Sequence, residues 1–196
     1  MSLTLRELME WVPEIAALAT STREAGTNHA ASAEFYRTLS AASTWEGDGG
    51  AAARVSMFTT AADHEGAAEN LSSAAAAMEQ AHQGAEIVSN AIKALLNYAA
   101  ASPAVLVDTS TNQVTRPDTS YLDADAAARV IAKTSELQAQ ITALLTEGQQ
   151  VDTDLARAIS TAGGVQYRIV GPDGNSAQVN DLLDSGYLRD VNDPTG

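Results

Sequence analysis

Three histidines are the first residues to test for chemistry, because imidazole serves as acid, base and metal ligand near neutral pH. His64-Glu65-Gly66 opens like a zinc-protease helix, whose chemistry needs a second histidine one turn later to share the metal. Position 68 is Ala68, so that motif fails. His29 falls on a stripe of helical spacing, where a hydrogen-bonded core histidine is a plainer reading than a ligand. His82, with Gln80 and Gln83 around it, is expected to face solvent. A three-histidine site needs separate helices to converge, and the spacing does not predict that.

Other reactive groups fare no better. No serine occupies the Gly-x-Ser-x-Gly elbow of a hydrolase. Gly47, Gly49 and Gly50 follow a helix rather than a strand and precede no Lys-Ser or Lys-Thr, so neither phosphate-binding glycine pattern is present. Asp118, Asp123 and Asp125 lie near a helix start, where carboxylates cap backbone N–H groups; a calcium loop needs glycine and a terminal glutamate at set positions. The chain has no cysteine, which excludes disulfides, thiol nucleophiles and cysteine zinc sites. No catalytic residue, metal or cofactor is expected, and the chain is read as a non-enzyme.

One stretch remains, Thr44-Trp45-Glu46-Gly47-Asp48-Gly49-Gly50. It has two readings. In the structural one, the indole covers a bundle end and glycine permits a tight backbone. In the other, an aromatic at a turn is a recognition element.

The elements around this turn are long helices. Thr4-Leu5-Arg6-Glu7 fits a capping box, with Leu5, Leu8 and Trp11 on a short helix behind it. Pro13 favours a first turn, so a break is expected near Val12 and a long helix from there to about Ala42. Its stripe reads Ile15, Leu18, Thr22, Ala25, His29, Ser32, Tyr36 and Leu39. The next helix should start between Asp48 and Ala51, bury Val55, Phe58 and Ala62, and then follow a heptad from Leu71 through Ala74, Met78, Ala81, Ala85, Val88, Ile92 and Leu95 to Ala99. The two stripes differ in register, which predicts an irregularity near Gly66. Two helices joined by a short glycine-rich turn fold back on each other to bury these faces.

Beyond Pro103, alternation across Val105–Asp108 and Gln113–Thr115 predicts a small hairpin, which is marginal alone and should lie against helix ends. A third helix should follow Asp123 as N-cap, bury Val130, Thr134, Leu137, Ile141, Leu144, Gly148, Val151, Leu155, Ala158 and Ala162, and stop at Gly163-Gly164. Val165–Val170 reads as a strand, residues 171–174 as a turn and Val179–Leu183 as one helical turn. The expected fold is all-α: an elongated antiparallel long-helix bundle over residues 1–163, with the hairpin at about 105–116. Residues 164–196 read as a tail, linker or start of a second domain.

Composition bounds the partners. The 196 residues carry a formal charge of −14, and 11 basic residues scattered along the chain give no patch for nucleic acid or an anionic membrane. No apolar run approaches the ~18 residues of a membrane span, and no cleavable signal is visible at the N-terminus.

Trp45 and Gly47, in an inter-helix turn after about 40 residues of helix within a cysteine-free acidic chain, resemble the WXG family of type VII (ESX) secretion substrates. That likeness covers about residues 13–101. The longer order of helix, WXG turn, longer helix, Val/Asp/Thr-rich hairpin and further helix, over about 1–163, is similar to the N-terminal region of larger secreted actinobacterial and mycobacterial proteins. The resemblance implies a helical protein-interaction and secretion module. Partners would be a helical WXG-type protein, a second copy of the chain, or secretion machinery. Localisation would be secreted or envelope-associated, with a cytoplasmic protein as the alternative. The family's export signal, Tyr-x-x-x-Asp/Glu, is matched by Tyr121 and Asp125, at the start of the third helix rather than directly beyond the helical hairpin. With Trp45, Glu46 and Gly47, these form the candidate recognition residues. Two other readings stand beside it: part of a hydrolase or toxin whose catalytic residues lie beyond this chain, or a structural helical scaffold.

Overall fold

The computed structural model describes residues 3–163, 168–170 and 176–178. The protein is an all-α bundle of three helices that pack against each other, with a small antiparallel hairpin. The helices are α1 (Leu5–Ala42), α2 (Gly47–Ala100) and α3 (Ala124–Gly163), and strands β1 (Leu106–Asp108) and β2 (Gln113–Thr115) lie between the last two. Two further strands, β3 (Arg168–Val170) and β4 (Ser176–Gln178), pair antiparallel, with Ile169 opposite Ala177. The strand expected over 165–170 is thus present at its end. The turn at 171–174 and the helical turn at 179–183 lie outside the described residues.

The capping box forms as read. Thr4 N–H donates to Glu7 Oε2 at 2.8 Å, and Glu7 N–H donates to Thr4 Oγ1 at 3.2 Å. The expected break at Val12 does not form, and α1 carries Pro13 inside it. A helix-interior proline costs about 3 kcal/mol. Here the apolar stripe continues across it: Leu5, Leu8 and Ile15 are all buried in one cluster. Burial of each such side chain contributes roughly 1.5–3 kcal/mol, enough to hold the helix together across the missing N–H.

The chain packs as two compact units. Among the described residues, one joins those up to Thr20 with Ala75–Ile159, and the other joins Ser21–Ala74 with those from Ser160 on. In the first, Leu137, Ile141 and Leu144 of α3 meet Val88, Ile92 and Leu95 of α2 and Leu5, Leu8 and Ile15 of α1 in one core. Gly148 is needed there, because a Cβ at that position would fall 2.4 Å from the Leu8 side chain. Seven residues of the expected α3 stripe, Val130, Leu137, Ile141, Leu144, Gly148, Val151 and Ala158, are buried; Thr134, Leu155 and Ala162 are half-buried, and Lys133 is buried beside Thr134.

The β1–β2 hairpin lies against the start of α1, as a marginal hairpin must. Asn112, at φ 61°, accepts Leu5 N–H on Oδ1 at 2.9 Å and donates from Nδ2 to the Leu3 carbonyl at 2.8 Å. Arg6 N–H donates to the Thr109 carbonyl at 3.1 Å. The hairpin turn therefore satisfies N–H groups that the first turn of a helix leaves without partners.

The second unit holds the α1–α2 hairpin, and two expectations fail in it. The α2 helix has no irregularity at Gly66, and Val55, Phe58 and Ala62 are exposed. The heptad from Leu71 runs straight back through Ala67, His64, Thr60, Met57, Ala53 and Gly50, none of them exposed. On α1, Leu39 points outward, as does Leu18 at the end of the first unit's share of the helix, and the small residues Gly26, Ala33 and Ser40, seven apart, are buried in register with Ala19. Close approach explains the exchange: a Cβ at Gly26 would sit 3.4 Å from Leu71 Cβ and 3.5 Å from the Ala68 carbonyl oxygen, leaving no depth for leucine.

Candidate interaction site

The turn between α1 and α2 owes its shape to two glycines. Gly47 has φ +77°, a conformation that glycine adopts without the steric cost a side chain brings. Gly50 is the tighter requirement, since a Cβ there would lie 2.4 Å from the Trp45 carbonyl oxygen and 2.6 Å from its carbon. Arg54, one turn further along α2, reaches back and donates from Nη1 to the same carbonyl at 2.6 Å. Backbone and guanidinium together fix where Trp45 stands.

The indole does not cover a bundle end; Trp45 is 60% exposed, and Glu46 and Gly47 are exposed beside it. Phe35 (61%), Val55 (61%) and Phe58 (63%) are as open, and Leu39 is outward one turn from Phe35. Both helices of this hairpin therefore display apolar pairs at helical spacing, with the tryptophan at the turn between them. Register was the misleading signal in the sequence, since the stripe read through Val55, Phe58 and Ala62 lies on the exposed side of α2. Extending the clean heptad backwards would have found the exposed set.

Tyr121 and Asp125 are both exposed, but they do not share a helix face. Tyr121, 74% exposed, sits in the turn before α3, and Asp125 is the second residue of the helix. The neighbouring carboxylates do cap, as expected. Asp123 Oδ1 accepts Ala126 N–H at 2.7 Å, and Asp118 accepts both N–H and Oγ–H of Ser120, which holds its carboxyl below the usual range.

His29 is hydrogen-bonded, as expected, and its partner is the finding. Two of the three converge: His29 of α1 and His64 of α2 place Nδ1 against Nδ1 at 2.9 Å, with Tyr36 stacked on the His64 ring at 5.7 Å between centroids. Arg37 and Glu65 pair across the same two helices. Asp63 precedes His64, and burial pushes its carboxyl up. Positions 29 and 64 both belong to inward stripes, but pairing them needs the register between the helices, which one sequence does not give. His82 does not face open solvent either: its side chain is 17% exposed and lies between Glu79 (3.7 Å) and Glu86 (3.9 Å).

Lys133 was also missed. Its Nζ donates to the carbonyls of Ala101 (2.6 Å), Pro103 (2.8 Å) and Ala99 (3.3 Å), and lies 4.6 Å from the centre of the Tyr98 ring. Ala99 lies in the last turn of α2, where its carbonyl also accepts Val105 N–H at 2.9 Å, and Ala101 and Pro103 follow the helix end. Tyr98 in turn donates its hydroxyl to Glu136 at 2.8 Å, an interaction that raises the phenol above its ordinary range.

Among the described residues there is no cluster of three or more His, Cys, Asp or Glu side chains arranged to hold a metal, and no helix long and apolar enough to cross a membrane. No family model matches the chain, and no curated protein or solved structure is significantly similar to it.

Proposed function

We propose that this chain is a non-catalytic interaction module whose α1–α2 hairpin docks on a helical partner. One observation carries the reading: Phe35, Trp45, Val55 and Phe58, four large apolar side chains of one helical hairpin, stand open to solvent. Desolvating aromatic anchors of this kind supplies much of the energy at protein interfaces, and a helix face with residues three or four apart is a common docking element. Type VII secretion substrates remain the protein class that Trp45 and Gly47 resemble. The partner is then a helical WXG-type protein or a second copy of the chain, and the module delivers a larger protein to the secretion machinery. Tyr121 is the exposed aromatic available as a separate signal, with Asp125 nearby in sequence.

The test is an immunoblot of lysate and culture filtrate from the source cells, with wild-type chain, Trp45→Ala and Phe58→Ser. The expected result is wild-type protein in the filtrate, in a band larger than 20.3 kDa, and retention of both variants in the lysate with unchanged helical circular dichroism. Wild-type protein confined to the lysate overturns delivery. Equal loss of helicity and export in the variants overturns the docking role and leaves Trp45 a structural residue.

A further inference from the structure

We propose that His29 and His64 form a two-imidazole clamp for a divalent transition-metal ion, Cu²⁺ in preference to Ni²⁺ and Zn²⁺, that ties α1 to α2. The two donors are already adjacent. They come from two helices, 35 residues apart in sequence, and their Nδ1 atoms are 2.9 Å apart. Metal–nitrogen bonds are about 2.0–2.1 Å long, so donors at this separation subtend roughly 90° at the ion. That is the cis angle of a tetragonal site, the geometry of Cu²⁺ and Ni²⁺ with nitrogen and oxygen donors. A tetrahedral Zn²⁺ needs the nitrogens to part further.

The ring arrangement sets what capture requires. The centroids are 5.0 Å apart, so the two nitrogens face each other nearly head-on. In a neutral pair, one Nδ1 carries the hydrogen and the other accepts it. On binding, that hydrogen moves to Nε2 of the same ring through solvent, and each ring swings until both lone pairs meet off the nitrogen–nitrogen line. Both imidazoles stay neutral and no net proton is released. Tyr36 stacks at 12° on His64, which leaves that ring a plane to slide along.

Access and surroundings agree. An open groove of about 680 Å³ between α1 and α2 runs alongside the pair without including either ring; its lining takes in Gly26, Thr27, Ala30, Glu65 and Ala68, with Arg23 and Glu69 as further charged groups. Both rings are half-buried, so an ion reaches them without unfolding the hairpin. Glu65 is engaged by Arg37, and Asp63 is the other acid beside His64 in sequence. Water therefore completes the coordination around two protein donors. The chain's net charge of −14 concentrates cations around it. An ion held by both helices binds only when they are docked, so binding stabilises the hairpin by linkage.

The test uses the full chain, stripped with chelator and titrated with CuCl₂, NiCl₂ and ZnCl₂, followed by thermal unfolding and, for Cu²⁺, electron paramagnetic resonance. At ~100 times the dissociation constant the unfolding temperature should rise by about 5–10 °C. The rise should be lost in His29→Gln and in His64→Gln and kept in His82→Gln. The Cu²⁺ spectrum of the wild-type chain should show two coordinated imidazole nitrogens, a readout that does not depend on any variant folding. No shift in the wild type, a shift that persists in both His29→Gln and His64→Gln, or a Cu²⁺ spectrum with fewer than two nitrogens would each overturn the clamp.

Discussion

The two units of this protein solve the same problem with different side chains. Where α1, α2 and α3 meet, leucine, isoleucine and valine interlock, a capping box and an asparagine close the start of α1, and a lysine closes the end of α2. In the α1–α2 hairpin, the buried residues are alanine, glycine, serine and threonine, Met57, Leu71 and the two histidines are half-buried, and Phe35, Val55 and Phe58 are outside. Apolar burial scales with area, so the first unit has the larger reserve of stability. The second gives up that reserve and leaves Phe35, Trp45, Val55 and Phe58 open to solvent.

The sharpest way to break this contrast is to delete one large side chain on each side of it. Leu137 is fully buried, and Leu137→Ala should cost about 2–5 kcal/mol in chemical denaturation. Phe58→Ala removes more carbon from a residue that is 63% exposed, and should stay within about 0.5 kcal/mol of wild type. A large loss at Phe58 would mean that the outward face carries the fold, and the division of labour would fail.

Lys133 comes next. Its ammonium answers three carbonyls at the end of α2, and a methionine of similar length would fill the space without donating. Ala99 keeps the Val105 N–H, but the Ala101 and Pro103 carbonyls lose this donor, which should cost about 1–3 kcal/mol, read as a lower denaturation midpoint. Lys133→Arg should recover only part of the loss, because a planar fork does not fit a site shaped for a point charge.

The glycines divide in the same manner. Gly50→Ala would push a methyl to 2.4 Å from the Trp45 carbonyl oxygen, with backbone that has no easy direction to move, and should destabilise by roughly 1–3 kcal/mol. Gly66, mid-helix and exposed, has nothing within 4 Å of a new Cβ, and Gly66→Ala should stabilise by about 0.5–1 kcal/mol. Thermal unfolding of the two variants gives both signs in one experiment.

How much of this was legible depended on whether a signal is local. The box at Thr4 and Glu7, the Asp123 cap, the hairpin strands and most of the α3 stripe follow from residues three to ten apart, and all are present. Pro13 was over-read, because the packing that holds α1 together across it lies on other helices. The outward placement of Phe58 and Leu39 was missed for a related reason: the depth of the groove between α1 and α2 is a property of the pair, set by Gly26 against Ala68 and Leu71. The His29–His64 contact and the Lys133 cap join residues 35 and roughly 30 apart, and no spacing within one helix encodes either.

The smallest predicted effect is a difference in how the two units respond to acid. In the first, hydrogen bonds from Thr4 hold the Glu7 carboxyl below its ordinary range, and those from Ser110 and Thr111 do the same for Asp108. A carboxyl that binds its proton less readily when folded contributes stability above its unfolded pKa and loses it as pH falls through the folded value. In the second, burial raises Asp63, so the folded state takes up that proton more readily and this residue favours folding as pH drops. Unfolding temperature measured from pH 7 down to about pH 2 should therefore fall less steeply in Glu7→Gln and Asp108→Asn than in wild type. In Asp63→Asn it should start higher at pH 7 and fall more steeply, because the variant lacks the residue whose protonation offsets the loss. Parallel curves for all four proteins would mean that these carboxyls titrate alike folded and unfolded. The caps at the start of α1 would then hold the helix no more firmly at neutral pH than in acid.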